Sequence, residues 1–193
     1  MAANTGSSRV SRLGPIAGVL TGGLWVILEI VFIFNLGPGL AGGPVFVLPV
    51  TSILFALGLQ RVLRKSSAGF AAIGAIFFGA AFVELLVGGI LASSLPSSLP
   101  GGFLTVTILA SVLLSVALVT FGFAQWNASE FPKWNAYLAF VTVVASWVSP
   151  LVASLTGPLA FSGRLLLFAA WIFATAGFLW RAGVKVAASE PPA

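Results

Sequence analysis

The sequence predicts an all-α fold: a polytopic membrane protein built as a bundle of six transmembrane helices, with both termini in the cytoplasm. Its composition, six apolar stretches of bilayer length and the distribution of its basic residues lead to this prediction. The chain has 193 residues, of which 59% are hydrophobic and 7% charged, and its mean hydropathy is +1.13. Soluble domains carry about 25% charged residues, so a soluble fold of this composition would expose one continuous apolar surface. The lipid bilayer is therefore the first expected partner.

The spans follow from the length of the apolar stretches. A helix needs roughly 20 apolar residues to cross a hydrocarbon core of about 30 Å. Six stretches meet this condition, at about 14–36, 44–63, 68–92, 102–125, 134–156 and 160–181. Because the connections between them are short, residues 1–193 are predicted to form a single transmembrane helical domain. Short cytoplasmic tails are expected at 1–12 and 185–193.

The connections fall into two sets that alternate along the chain. Three of them, GPGLAGGP (37–44), SSLPSSLPGG (93–102) and TGP (156–158), are turns without charge. The other two, QRVLRKSSA (60–68) and QWNASEFPKW (125–134), carry the charges. This alternation predicts that charged and uncharged connections lie on opposite sides of the membrane.

The basic residues give the predicted orientation, because cytoplasmic loops of membrane proteins are enriched in Lys and Arg. With the N-terminus inside, Arg164 alone lies towards the outer side. The cytoplasmic side holds Arg9, Arg12, Arg61, Arg64, Lys65, Lys133, Arg181 and Lys185. The net charge of +5 is thus interpreted as a topology signal in a bacterial plasma (inner) membrane, and nucleic acid is not expected as a partner.

The residue types that are missing exclude several chemistries. The chain has no Cys, no His and no Asp, and its four acidic residues are all glutamates. Triads of Ser, His and Asp, zinc sites with His or Cys ligands, and haem or iron–sulfur ligation all need residues that are absent. The sequence therefore predicts that the protein is not an enzyme and uses no metal or cofactor.

Three charged residues form a candidate polar cluster within the predicted spans. Glu29, in LWVILEIVFIF, and Glu84, in FFGAAFVELLVGG, each lie about four residues outward of the middle of their spans. Arg164 begins the sixth span and is expected within about one helical turn of the same depth. Gly18, Gly22, Trp25 and Glu29 share one helical stripe, as do Ala80, Ala81, Glu84 and Gly88. Because small residues mark close helix contacts in membranes, both glutamates are predicted to face the bundle interior.

Polar side chains and prolines in the same half support this prediction. Pro49 and Pro150 each free a backbone carbonyl that lipid cannot satisfy, so both sites are expected to face protein or water. Hydroxyl groups close to them in the sequence are those of Thr51, Ser52 and Ser149.

Two interpretations of the cluster stay open from sequence alone. In the first, Glu29, Glu84 and Arg164 form a buried network that fixes helix register, since pairing offsets the cost of a charge in lipid. In the second, they line an outward-facing cavity that binds a small solute, an ion or protons. With one arginine for two glutamates, one carboxyl group is expected to hold a proton.

The segment FGFAQWNASEFPKWNAYLAF (121–140) joins the end of one span, a polar turn and FPKW at the start of the next. It resembles the short inner loop of uncharacterised six-span bacterial integral membrane proteins of the domain-of-unknown-function type. That resemblance implies a bacterial plasma-membrane protein without assigned activity. No functional residue is transferred by it, since Glu29 and Glu84 lie outside the segment.

The functional expectation is an integral membrane protein that binds or transports a small solute or protons at the outer-half cluster. The alternative is a structural or accessory subunit that packs against another membrane protein or a second copy of the chain. The identity of a small-molecule ligand does not follow from the residues.

Overall fold

The computed structural model describes residues 5–34, 38–94, 100–156 and 159–189, and all regular structure in these ranges is α-helical. This confirms the all-α fold class. Five helices follow in chain order: α1 Thr5–Ile33, α2 Pro38–Ser94, α3 Pro100–Asn127, α4 Lys133–Thr156 and α5 Leu159–Ser189.

Helix α2 consists of two limbs that fold back on each other at Ser67. This residue leaves the helical region, with φ −155° and ψ 67°. The rings of Phe55 and Phe78, one on each side of it, have centroids 5.9 Å apart, whereas a straight helix would separate the two residues by about 35 Å. The break falls inside the predicted connection 60–68, so the two limbs coincide with the predicted spans 44–63 and 68–92.

Four of the helices contain stretches that are long and apolar enough to cross a membrane, within the part of the chain that is described. They are Leu13–Val31, Phe46–Val87, Ile108–Asn127 and Gly163–Ala182. The second of these covers both limbs of α2, and α4 is not among the four. The helices thus suit a membrane protein, whereas six crossings and the position of the termini stay predictions.

Close helix contacts set the register of α1 against its neighbours. At Gly14 and Gly58 the backbones of α1 and the first limb of α2 meet, since a Cβ atom built at Gly58 would lie 2.5 Å from the Cα atom of Gly14. One turn further along α1, Gly18 packs against the Phe55 ring and against Ala176 of α5. Both contacts show that α1 runs antiparallel to the first limb of α2. The further contact of Gly22 with the Phe173 ring shows that α1 also runs antiparallel to α5.

Aromatic side chains fill the centre of the bundle, and aliphatic side chains cover its outside. The buried rings are those of Phe55, Phe78, Phe82, Phe121, Phe168 and Trp171. Ile76, Val144 and Leu155 are among the exposed aliphatic residues. A large exposed aliphatic surface of this kind suits hydrocarbon as solvent, since in water it would mark an interaction site.

The helices extend into both predicted tails and into one predicted turn. Helix α1 begins at Thr5 and α5 continues to Ser189, so the predicted tails 1–12 and 185–193 are largely helical. The physical reason at the C-terminal end is the run KVAAS, which contains good helix formers and no breaker. Helix α2 begins at Pro38 inside the predicted turn 37–44, since proline is tolerated in the first turn of a helix.

Several positions of these tails and turns lie outside the described residues. The residues that the structure does not describe are 1–4, 35–37, 95–99, 157–158 and 190–193.

One end of the bundle collects the basic side chains. The amide of Asn127 donates to the hydroxyl of Ser67 at 3.4 Å, and the Trp134 ring lies 5.5 Å from that of Phe178. The α2 break, the α3–α4 connection and the last turns of α5 therefore share this end, called here the basic end. Its described basic residues are Arg61, Arg64, Lys65, Lys133 and Arg181, whereas the side chains of Arg9, Arg12 and Lys185 lie outside the described ones.

Candidate functional site

Glu29 is sealed inside the bundle, as its stripe of small residues predicts. Its side chain is 2% exposed. Both carboxylate oxygens are buried, and neither has a hydrogen-bond partner among the described residues. A carboxyl group in an apolar interior normally has such partners, because an unpaired polar atom there costs free energy. Among the described residues, the carboxylate oxygens of Glu29 are therefore not satisfied by hydrogen bonds.

Arg164 lies opposite Glu29 on the neighbouring helix. The Trp25 and Phe168 rings face each other across α1 and α5, with centroids 5.5 Å apart. Glu29 lies one helical turn after Trp25 on α1, and Arg164 lies one turn before Phe168 on α5. Because the two helices are antiparallel, Glu29 and Arg164 therefore lie at the same level of the bundle. Their charges are close enough to interact, and Arg164 is only partly buried. The structure thus joins two of the three predicted cluster residues.

Glu84 lies at the edge of this site. It is half-buried on the second limb of α2, between the buried Ala81 and the exposed Val87. Phe82 contacts Trp25, with ring centroids 6.1 Å apart, so Glu84 lies within about a turn of the depth of Glu29. No contact among the described side chains joins Glu84 to Glu29. Its predicted inward stripe is only partly buried, because Ala80 on that stripe is exposed.

Buried polar atoms continue from Glu29 along the same stripe of α1. The indole nitrogen of Trp25 and the hydroxyl of Thr21 follow at steps of one helical turn, and both lack a hydrogen-bond partner in the described part of the chain. The contact between Gly18 and Phe55 brings Ser52 level with Thr21 across the α1–α2 interface. The Ser52 hydroxyl is also buried without a described partner.

The other predicted supporting residues have different surroundings. The Thr51 hydroxyl donates to the carbonyl of Leu48 at 3.1 Å, so its hydrogen bond is made within its own helix. Ser149 is buried, and its hydroxyl has no partner among the described groups. It lies on α4, which contacts α3 and α5 but not α1 within the described chain. Helices α2 and α4 continue through Pro49 and Pro150. The structure therefore places Ser149 away from the site around Glu29, whereas Thr51 lies next to Ser52 with its hydroxyl bonded within its own helix.

A second buried polar cluster, which the sequence analysis did not predict, joins α3, α4 and α5. Thr175 accepts hydrogen bonds from the Asn135 amide at 3.0 Å and from the Gln125 amide at 3.3 Å. The Trp171 indole donates to the Gln125 carbonyl at 3.3 Å. All four side chains are completely buried, and the Asn135 amide oxygen has no partner among the described residues.

The sequence could have given one hint of this cluster. Gln125 lies at the junction of the predicted span 102–125 and the charged connection 125–134, and the sequence analysis predicts no buried contact for it. Thr175, however, shares a helical face with Trp171 and Phe168, and a hydroxyl on such an aromatic face predicts a buried polar partner. The interhelical distances needed to find that partner are not encoded in local spacing.

The site offers a limited set of chemical groups. A carboxyl, a guanidinium, an indole N–H and two hydroxyls are present, which can hold a proton, water or a small polar ligand. Within the described residues, no three His, Cys, Asp or Glu side chains come together as metal ligands. No family model matches the chain, and neither does any curated protein or solved structure.

Proposed function

We propose that this chain is a six-span integral protein of the bacterial plasma membrane that moves protons, alone or together with a small solute, through the site around Glu29. The observation that carries the proposal is the sealed carboxyl group of Glu29, neither oxygen of which has a hydrogen-bond partner among the described residues. Ionisable groups inside a membrane bundle are rare and commonly mark functional sites.

The neighbouring charge of Arg164 supports a functional role of the Glu29 carboxyl group. A charged side chain in the bilayer costs about 2.5–3.5 kcal/mol on insertion scales, and Arg164 lies close enough to Glu29 for their charges to interact. Carboxyl groups inside membrane bundles, beside a charged partner and buried polar atoms, are typical of proton relays.

The buried polar atoms below Glu29 support a path for the proton. Trp25, Thr21 and Ser52 lie between Glu29 and the cluster of Gln125, Asn135 and Thr175, which is nearer the basic end. Buried polar groups without protein partners are usually satisfied by internal water, and water molecules bound to these groups would form a relay. The path crosses the aromatic centre of the bundle, so small changes in ring packing would open or close it.

Two observations support six spans with both termini in the cytoplasm. Counting the two limbs of α2 separately, the described chain contains six helical segments. The described basic residues other than Arg164 lie at one end, and cytoplasmic loops are enriched in such residues.

Single cysteines test this topology, because the chain contains none of its own. In intact cells, Ser129→Cys should react only after the membrane is permeabilised, whereas Ser97→Cys should react with an impermeant maleimide directly. Labelling of Ser129→Cys from outside would contradict the proposed topology.

Proton flux in proteoliposomes tests the role of Glu29. The purified protein is reconstituted with a pH-sensitive dye inside, and a pH gradient is applied with potassium and valinomycin to clamp the membrane potential. Wild-type protein should dissipate the gradient faster than empty vesicles, and Glu29→Gln should abolish the difference. The matched control Glu130→Gln changes an exposed glutamate in the α3–α4 connection and should leave the flux unchanged.

A spectroscopic measurement separates chemistry from folding. Infrared difference spectra between acidic and alkaline pH should contain the carbonyl band of a protonated carboxyl group, and this band should be missing in Glu29→Gln. Thermal unfolding of the wild type and of Glu29→Gln shows whether the variant keeps the fold. If a stable Glu29→Gln protein carries the wild-type flux, the proposal is wrong.

The alternative function is an accessory subunit, and one observation favours it. The outer part of α5 exposes Gly163 and Ala170 one above the other, and a Cβ atom at Gly163 would meet nothing within 4 Å. Small residues on a membrane helix suit a close contact with a further helix. This function predicts that a partner or second copy co-purifies with the wild type and is lost in Gly163→Leu, with no proton flux in either protein.

A further inference from the structure

A groove between α4 and α5 opens at the basic end of the bundle. It has a volume of about 220 Å³, and its lining residues are Trp134, Phe173, Ala174, Gly177, Phe178 and Arg181. The following paragraphs call it the α4–α5 groove. It is separate from the site around Glu29, which lies towards the other end of α5.

The walls of the α4–α5 groove are held in place by neighbouring helices. The Phe173 ring packs against Gly22 of α1, where a Cβ atom would lie 2.9 Å from it. The Phe178 ring contacts the Trp134 ring edge-on, with ring centroids 5.5 Å apart, and its centroid lies 6.0 Å from that of Phe131. The floor is formed by small residues, and a Cβ atom at Gly177 would meet nothing within 4 Å. The groove is therefore a preformed apolar space.

A positive charge closes one end of this apolar space. The Arg181 guanidinium lies 5.8 Å from the centre of the Phe178 ring, so it is anchored at the mouth of the groove. Lys133, the nearest lysine in the sequence to Trp134, is already engaged, because its ammonium donates to the Trp126 carbonyl and lies over the Trp126 ring. Arg181 is thus the cation that the groove offers to a ligand.

The groove is elongated along α5. From Phe173 to Arg181 it follows eight residues of this helix, a length of about 12 Å, and its volume is about 220 Å³. An elongated apolar space that ends at a cation suits a hydrocarbon chain with an anionic headgroup at its end.

We infer that the α4–α5 groove binds an anionic phospholipid, with one acyl chain between Phe173 and Phe178 and the phosphate of the headgroup on Arg181. Basic sites between transmembrane helices recognise anionic headgroups in this way. The half-exposed Trp134 and Trp180 lie at the same end, where tryptophans are typical of the headgroup region. This inference depends on the membrane location of the chain but not on the proposed role of Glu29.

Native mass spectrometry of the delipidated full-length protein in detergent tests the inference. Phosphatidylglycerol and phosphatidylcholine with identical acyl chains are titrated separately, and the fraction of protein with one bound lipid is measured. The wild type should prefer phosphatidylglycerol by about fivefold, the factor expected for one basic residue at a charged bilayer surface.

Two variants separate the acyl-chain contact from the headgroup contact. Gly177→Leu places a bulky side chain in the groove, at a position where a Cβ atom meets nothing within 4 Å, and should remove most binding of both lipids. Arg181→Gln should keep binding of phosphatidylcholine but lose the preference for phosphatidylglycerol. The matched controls are Gly163→Leu, at an open position on the other half of α5, and Lys65→Gln, another exposed basic residue of the same end. Both should bind lipid like the wild type.

The outcomes that would overturn the inference are specific. Wild-type affinity for phosphatidylglycerol in a folded Gly177→Leu protein would show that the groove holds no acyl chain. Equal loss of the lipid preference in Arg181→Gln and Lys65→Gln would show a diffuse surface charge effect. A change of oligomeric state in Gly177→Leu, with unchanged lipid binding, would assign the groove to a second polypeptide.

Discussion

The contact between Gly14 and Gly58 gives the sharpest prediction of stability. A Cβ atom at Gly58 would lie 2.5 Å from the Gly14 Cα atom, and a Cβ atom at Gly14 would lie 2.9 Å from the Gly58 Cα atom. In each case the obstacle is backbone, which cannot rotate away as a side chain can. Carbon atoms attract best at about 3.5–4.0 Å, so Gly58→Ala forces α1 and α2 apart by about 1 Å at this point.

The expected cost follows from this displacement. Overpacking of a tight contact typically costs about 1–3 kcal/mol, and the gain of about 1 kcal/mol in helix propensity from Gly to Ala offsets only part of it. Gly58→Ala should therefore lower the free energy of unfolding by up to about 2 kcal/mol, and Gly14→Ala by less. Gly23→Ala is the matched control on α1, because its Cβ atom would meet nothing within 4 Å, and it should be neutral or stabilising.

The measurement is reversible unfolding of the three variants in mixed micelles, followed by circular dichroism and by tryptophan fluorescence. The predicted order of stability is Gly23→Ala, then Gly14→Ala, then Gly58→Ala. If Gly58→Ala proves as stable as Gly23→Ala, the two backbones do not meet at this point and the α1–α2 register derived from it is wrong.

Three further predictions concern the core and the exposed apolar surface. Phe78→Ala should lower the free energy of unfolding by about 3–5 kcal/mol, because its ring lies at the centre of the aromatic core. The nearby Ile76→Ala should change it by less than about 0.5 kcal/mol, since Ile76 is exposed; equal effects in micelle unfolding would contradict the assigned helix face. Asn135→Ala removes the buried donor to the Thr175 hydroxyl and should cost about 1–3 kcal/mol in the same unfolding assay. Trp147→Phe removes the hydrogen bond from its indole to the Ser115 hydroxyl at 3.0 Å and should cost only about 0.6 kcal/mol, which the same unfolding assay resolves from the Phe78 value.

The helices and their ends were largely predictable, because they depend on local composition. Each of the six predicted spans begins or ends within four residues of a helix terminus or of the break at Ser67. The exceptions are the tails and the turn 37–44, which continue as helix. Polar residues there indicated where apolar sequence ends, but a helix can extend beyond the apolar region when no breaker stops it.

The burial of Glu29 was also predictable, whereas its surroundings were not. Gly18 and Gly22 on the same stripe indicate which face of α1 approaches other helices, and Glu29 is indeed buried on that face. The same reasoning applied to Glu84 succeeded only in part, since a stripe of alanines is weaker evidence for a close contact than a pair of glycines. Glu84 is half-buried at the edge of the bundle.

The sequence by itself determined that this chain is helical and apolar, where its charges collect and which face of α1 is buried. These properties follow from the partitioning of each residue between lipid, water and helix contacts, which is recorded locally along the chain. Only the tertiary structure decided that Arg164 lies level with Glu29, that Gln125 and Asn135 meet at Thr175, and that an open groove ends at Arg181. These arrangements depend on the relative rotation and register of helices far apart in sequence, which are set by contacts such as the one between Gly14 and Gly58.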